Sequence, residues 1–421
     1  SSQLCCGAHS PSSPAVAPLR APPSTPPAPP DCFIPTPPTP PTPPTTPTTA
    51  STTANNVRAP SSVRLRRHRS FSIRRSAVAA ASSGDMSVVK KVEALSFPFQ
   101  TPDPFLFAVY HNDAYPAGDE KMQAPRRGDG ADFNPAAPYR MYHGERVPGF
   151  PQHPHRGFET ITATMDGIID HTDSQGNAGR YGKGDLQWMT AGSGIVHGEM
   201  FPLVNRDGPN PLQLFQIWLN LPGRDKMVAP AFVMHWAPDI SKVSSDDGGT
   251  SVVVWAGELL GAKGAPPPPN SWAADPANDV AVWFLTMHPG AAFTLPPAAL
   301  GAGSNRSLYF FEGKGLTVGG RSLTSHSCVE LDASQPAELR APAGAAVDTL
   351  VLVLQGRPIG EPVAQHGPFV MNTRAEIQQA FADYQETQFG GWPWPEDAMV
   401  FPRERGRFAK CNGKEEFPPS Q

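Results

Sequence analysis

The sequence predicts an all-β body closed by one C-terminal helix, behind a tail that lacks the residues to fold. Three observations carry this. The apolar runs are short, β-branched or aromatic, and broken by Gly, Pro, Asn and Asp, as in TITATM (160–165), LFQIWLNL (214–221), SVVVWAG (251–257), VAVWFLTM (280–287), SLYFF (307–311) and TLVLVLQG (349–356); such lengths and breakers suit strands. A single stretch has helical signals: Thr373 and Glu376 form a capping box, and Ile377, Ala380, Phe381 and Tyr384 follow at i, i+3, i+4, i+7. Finally, 18 of the 52 prolines lie in residues 1–60.

Taken in order, residues 1–60 are dominated by Pro, Thr, Ser and Ala. Burial there cannot offset the entropy of ordering, so the composition predicts disorder with polyproline II character. The following VRLRRHRSFSIRRSAVAAASSG is rich in Arg, Ser and Ala and free of acids, a transit-peptide composition. Met86, where the composition changes, is also placed to be an initiator. A plastid or other organelle is therefore expected if the tail is a transit peptide, and cytoplasm or nucleus otherwise. Residues 1–84 carry eight Arg and one acid. The whole chain has 34 Lys+Arg against 38 Asp+Glu, so the remainder is acidic, which argues against a nucleic-acid-binding core. No run approaches the ~18 apolar residues of a membrane span. Of the five cysteines only Cys328 and Cys411 fall in the body, and no CxxC is present; this excludes a disulfide framework and fits a reducing compartment. MDGIIDHTDSQGNAGRYGKGD and FEGKGLTVGGRSLTSHS share a Gly-rich turn after an apolar strand, so an internal duplication is expected. From Gly390 the Trp- and Pro-rich GGWPWPEDAMVFPRERGRF reads as a surface wrap.

The chemistry is concentrated in PGFPQHPHRGFET, with His153 and His155, and GDLQWMTAGSGIVHGEM, with His197 and Glu199. Residues i and i+2 of a strand share a face, so each stretch offers two ligands to one side. Three neutral imidazoles and one carboxylate suit a divalent ion such as iron, manganese, nickel or copper. Pro154 cannot donate to a ladder and places its strand at an edge or a beginning. Glu159, on the parity of His155, rivals Glu199 as the carboxylate, and spacing leaves both open. His171 and Asp173 read as a turn, Gln187, Trp188 and Met189 as packing beneath a ligand strand, and His288, His326 and His366 as isolated rim or surface residues.

These stretches resemble the two cupin motifs: G-x3-HxH-x3-E-x7-G from Gly149 to Gly167, then Gly184-Asp185 and G-x-x-H from Gly194 to His197. The wording is similar to the pirin family in HPHRGFET (153–160), GDLQWMTAG (184–192), GIVHGEM (194–200), LQLFQIWLNL (212–221), KMVAP (226–230) and EPVAQHGPFVMNT (361–373). The likeness runs from about residue 102 to about 390. It implies a bicupin, two jelly-roll-like barrels in tandem. The expected layout is a tail (1–85), a metal-binding N-terminal cupin (86–231), a metal-free C-terminal cupin (232–371), and a helix with a surface tail (372–421). It further implies one non-haem iron per chain held by His153, His155, His197 and Glu199, with Glu159 not a ligand. The sequence departs from the family in its tail, in an insertion-like segment between Tyr110 and Gly149, and in its GGWPWP ending.

Two functions are implied by the resemblance. One is a quercetin 2,3-dioxygenase-type activity on flavonol-like substrates, with oxygen opening the ring and carbon monoxide leaving; Glu199, loosened from the metal, is the one available base. The other is a redox-sensing transcriptional co-regulator or signalling partner working through a protein partner. A monomer without direct nucleic-acid or membrane contact is expected.

Overall fold

A computed structural model describes residues 87–127, 133–134 and 136–419. The expectations for the tail lie outside the described residues. The principal elements are β1 (Val89–Ala94), β2 (Phe105–Tyr115), β3 (Gly149–His155), β4 (Phe158–Asp166), β5 (Ile168–Asp173), β6 (Ala178–Gly182), β7 (Leu186–Thr190), β8 (Ile195–Met200) and β9 (Asn210–Asn220). There follow β10 (Thr250–Ala256), β11 (Ala281–Met287), β12 (Asn305–Glu312), β13 (Ser327–Leu331), β14 (Thr349–Gly356), β15 (Phe369–Met371), α1 (Arg374–Thr387) and β16 (Phe408–Cys411). As expected, the fold is all-β: two barrels in tandem, with one α-helix among the described residues. Thr373 caps α1 in a complete capping box with Glu376. No helix among the described residues is long and apolar enough to cross a membrane.

Each barrel is two sheets face to face. In the first, a sheet containing β7-β4-β9-β2 packs on one ordered β16-β6-β5-β8-β3. In the second, β1-β13-β12-β14-β11-β10 form one layer, and a smaller sheet of Ala292–Leu295, Ala337–Arg340, Leu316–Val318 and Arg321–Leu323 forms the other. The apolar strand, Gly-rich turn and short hairpin expected of a repeat are present twice, at Gly167 in the first barrel and Gly313 in the second.

The two large sheets pack against each other, so their strands are buried on both faces. Along β9, Phe215, Ile217 and Leu219 enter the inter-barrel core with Trp188 of β7, and Val282, Phe284, Leu352 and Leu354 meet them from the second barrel. The intervening Trp283, Leu285, Val351 and Val353 fill the second barrel's own interior. This two-sided burial is why these strands read as continuous apolar runs rather than alternating ones. Phe215 is a hub, with ring centroids 5.0 Å from both Tyr110 and Phe311 and 6.0 Å from Phe99.

The sheets cross the contiguous division at both ends. Strand β1, inside 86–231, pairs antiparallel with β13 of the second barrel. The C-terminal segment, read as a surface wrap, contributes β16, which pairs with β6 of the first. It is tied down by Arg180, whose guanidinium is paired with Asp170 and donates to the carbonyls of Phe401, Pro402 and Arg405. Arg180 and Asp170 are both buried, so carbonyls of a distant segment supply the acceptors that an interior guanidinium requires.

Glu159 also faces the inter-barrel core, sharing parity with Ile161 and Ala163 on β4. It accepts hydrogen bonds from Thr190 Oγ1 (2.6 Å) and Ser271 Oγ (2.5 Å). Burial pushes its carboxyl up from 4.5 to about 7, partly countered by those hydroxyls. A raised carboxyl pKa means that the fold favours the neutral acid. Its stabilisation is complete below about pH 4.5 and is lost as pH rises through about 7, by about 3 kcal/mol. In denaturant unfolding of the metal-free protein, Glu159→Gln should therefore gain stability relative to the parent as pH rises from 5 to 8. In the same assay Phe215→Ala should cost about 3–5 kcal/mol; a loss under 1 kcal/mol would mean that the inter-barrel core is not the main support.

Candidate metal centre

The first barrel's interior is built from the opposite parity. Strand β3 is the outer strand of its sheet, the place Pro154 requires, and pairs with β8 so that His153 lies directly opposite His197. The register shifts between Phe150 and His153, a bulge of the kind that re-aims side chains. One ring nitrogen from each of His153, His155 and His197 falls in a set whose members all lie within 4.8 Å of one another. The ring centroids are 4.4–4.9 Å apart.

Their electrostatic state suits ligation. Burial pushes His153 down to about 4 and His155 and His197 well below the ordinary range, so all three are neutral and present lone pairs. His153 Nδ1 lies 2.8 Å from the Pro151 carbonyl; as the donor there, it leaves Nε2 unprotonated. Both nitrogens of His197 and Nδ1 of His155 are buried without any hydrogen-bond partner. An unsatisfied buried polar atom costs on the order of 1–3 kcal/mol. A cation supplies the missing partner, so the residues fit a divalent metal.

Glu199 projects to the same interior two residues after His197. Its carboxylate lies outside the close set and is held by Gln216 Nε2 (2.7 Å) and Thr162 Oγ1 (3.2 Å), with Tyr181 at 3.5 Å. Burial raises its pKa above the ordinary carboxylate value, and a cation beside it would favour the ionised form. Glu159 is separated from the histidines by the thickness of β4, because Phe158 and Thr162 take the interior parity. Glu199 thus shares the histidines' compartment, whereas Glu159 belongs to the inter-barrel core.

Several neighbours were not legible beforehand. His171, read as part of a turn, is a fully buried residue of β5 opposite Glu199, 5.5 Å from the His197 ring, with no hydrogen bond at either nitrogen and Nε2 3.7 Å from Asp173 Oδ2. Asp173, also read as a turn residue, is the last residue of β5, paired opposite His197, and its buried carboxylate accepts from the backbones of Gln175 and Asn177 in the turn that follows. Gln187 faces the interior opposite Thr162, while Trp188 packs between the barrels. Gln216 could have been found from its parity with Trp218 in LFQIWLNL. Beside the centre, Arg140 Nε and Tyr142 OH donate to Asp113, and Tyr142 OH lies 2.6 Å from His111 Nδ1. Phe150 separates His111 from His153, about 6 Å from each. Tyr142 and Arg140 come from the insertion-like segment, where no pattern announced them.

The second barrel offers nothing comparable among the described residues. His288 is exposed and paired with Asp348, and His326 and His366 are exposed against Phe310 and Phe381. The interior between its sheets is apolar.

Comparison with known proteins agrees with this architecture. A family profile described as pirin matches residues 129–219, and one described as the pirin C-terminal cupin domain matches 282–390. A pirin-like protein of Solanum lycopersicum is 40% identical over 240 residues, covering 56% of this chain and 75% of that protein. A Pseudomonas aeruginosa protein whose name gives it a provisional quercetin 2,3-dioxygenase assignment is 36% identical, covering 62% and 82%. The crystal structure of a quercetin 2,3-dioxygenase from Acinetobacter baumannii superposes with a TM-score of 0.56 at 28% identity, covering 72% of this chain and 96% of that one. With its two matched profiles and its relatives at this identity and coverage, the chain belongs to the pirin family.

Proposed function

We propose that His153, His155, His197 and Glu199 hold one iron per chain, and that the centre carries out a quercetin 2,3-dioxygenase-type reaction on flavonol-like substrates. The observation that carries the reading is the set of neutral, buried imidazoles with unpartnered nitrogens beside a buried carboxylate. The substrate class is supported by what the Pseudomonas and Acinetobacter relatives are named for. When bound, iron would supply the Lewis acidity and electron transfer that let a flavonol anion react with oxygen. The chain's own residues do the rest. The barrel walls exclude water around the ligand nitrogens. Gln216 and Thr162 hold the Glu199 carboxylate on the interior face. A Glu199 oxygen is where a substrate hydroxyl proton would be held. Three imidazoles and one carboxylate leave a divalent ion with net charge +1, which favours an anionic substrate oxygen.

Two outcomes test this. Elemental analysis should find one transition metal per chain, with iron expected over manganese, nickel or copper. His197→Ala should remove most of it, and His288→Ala or His326→Ala none; two metals per chain would refute the assignment. Ferrous-loaded protein should consume quercetin only in the presence of oxygen, and Glu199→Ala should abolish turnover. An iron-loaded protein that ignores every flavonol in a panel would instead favour the regulatory reading.

A further inference from the structure

Both ligand strands of the first barrel are gripped at their roots by a segment that follows the second barrel in sequence. Arg156, immediately after His155, donates through Nε to the Ser193 carbonyl (2.7 Å) and through NH1 to Asp383 of α1 (2.6 Å). Its guanidinium lies 4.5 Å over the Phe389 ring, a cation–π contact. Ser193 and Gly194 lead directly into β8, which carries His197. One side chain therefore joins the turn after His155 to the turn before His197, and α1 with Phe389 holds that side chain in place.

The backbone is fitted to the same contact. A Cβ at Gly194 would lie 2.6 Å from the Phe389 ring, and one at Gly157 would lie 2.0 Å from the Val370 carbonyl. The Val370 carbonyl and Gly157 carbonyl share the buried Lys226 ammonium, at 3.1 and 2.8 Å. Arg156 and Val370 are also joined directly through the backbone (3.0 Å). Gln388 and Phe389 both adopt left-handed φ, +50° and +44°, a conformation costly for residues with a Cβ. That strain is sustained where it seats the Phe389 ring between Arg156 and Gly194.

We infer that residues 369–389 form a clamp that sets the spacing of the two ligand strands, with Arg156 and Phe389 as positioning residues for His155 and His197. The inference rests on the proposed metal centre and adds to it the group that determines its geometry. Supporting groups around a metal site commonly change affinity by about 10–100-fold when removed.

The test uses the full chain and cobalt(II), titrated against a chromophoric chelator and followed by its visible absorption bands. Phe389→Gly deletes the ring and relieves the left-handed backbone, so a merely structural role and a positioning role predict different results. In the folded variant the clamp predicts about tenfold weaker cobalt binding and shifted cobalt bands, whereas a merely structural role changes the metal-free melting temperature and leaves both cobalt readouts as in the parent. Gln388→Gly relieves the same strain while keeping the ring, and should leave affinity and bands unchanged. Asp383→Ala, on the partly exposed face of α1, alters no special backbone and should shift affinity in the same direction should Phe389→Gly fail to fold. Parent-like cobalt affinity and bands in these variants would overturn the clamp while leaving the metal centre standing. A parent protein that takes up no cobalt would overturn the centre and the clamp with it.

Discussion

Four histidines share one compartment of the first barrel, and five of their ring nitrogens have no hydrogen-bond partner. Burial keeps three of the four neutral, because the interior disfavours imidazolium far more than imidazole. Each neutral imidazole offers one lone pair, and a bound cation would supply a partner for one nitrogen of each ligating ring. The rest of the architecture follows from holding those groups in place. Hydrogen bonds from Gln216 and Thr162 hold the single carboxylate of the set, an edge strand with a bulge carries two of the rings, and segments remote in sequence secure the strand ends.

The compartment can be polar because the adjoining compartment is not. Strands β4 and β9 are shared walls: Thr162, Gln216 and Trp218 face the histidines, while Ile161, Phe215 and Ile217 face the second barrel. Side-chain period 2 separates the two environments by the thickness of a sheet. A one-residue slip of either strand would exchange them, sending a polar side chain into the inter-barrel core and an apolar one toward the histidines. The second barrel thus serves the first by making the rear face of its large sheet an interior, which pins its register. Its own interior is filled with apolar side chains, aromatic Trp283, Phe293 and Phe310 among them.

Sequence order and spatial role diverge at both ends of the body. Strand β1 completes the second barrel, and β16 extends the first. Segment 369–389, although it follows the second barrel, packs on the turns that follow His155 and precede His197 in the first. Such crossings tie the barrels together by backbone hydrogen bonds and a buried arginine as well as by apolar contact, so motion of the C-terminal region and geometry at the histidines are mechanically connected.

Read alone, the sequence determined the strand content, the single capped helix, the edge position of the HPH strand, the presence of the HPH and HGE tripeptides and the likeness to a bicupin family. Each of these is local: period, cap chemistry, proline's missing donor and motif spacing all lie within a few residues. Tertiary structure decided what depends on which face meets which neighbour. It separated Glu199 from Glu159, which local spacing could not rank, because one faces the barrel interior and the other the second barrel. It moved His171 from a turn to the side of the centre, since strand pairing, not sequence distance, sets its neighbours. It also turned an apparent surface wrap into a strand of the first barrel, because the unpaired edge of β6 and the buried Arg180 needed partners that only a segment more than 200 residues away supplied.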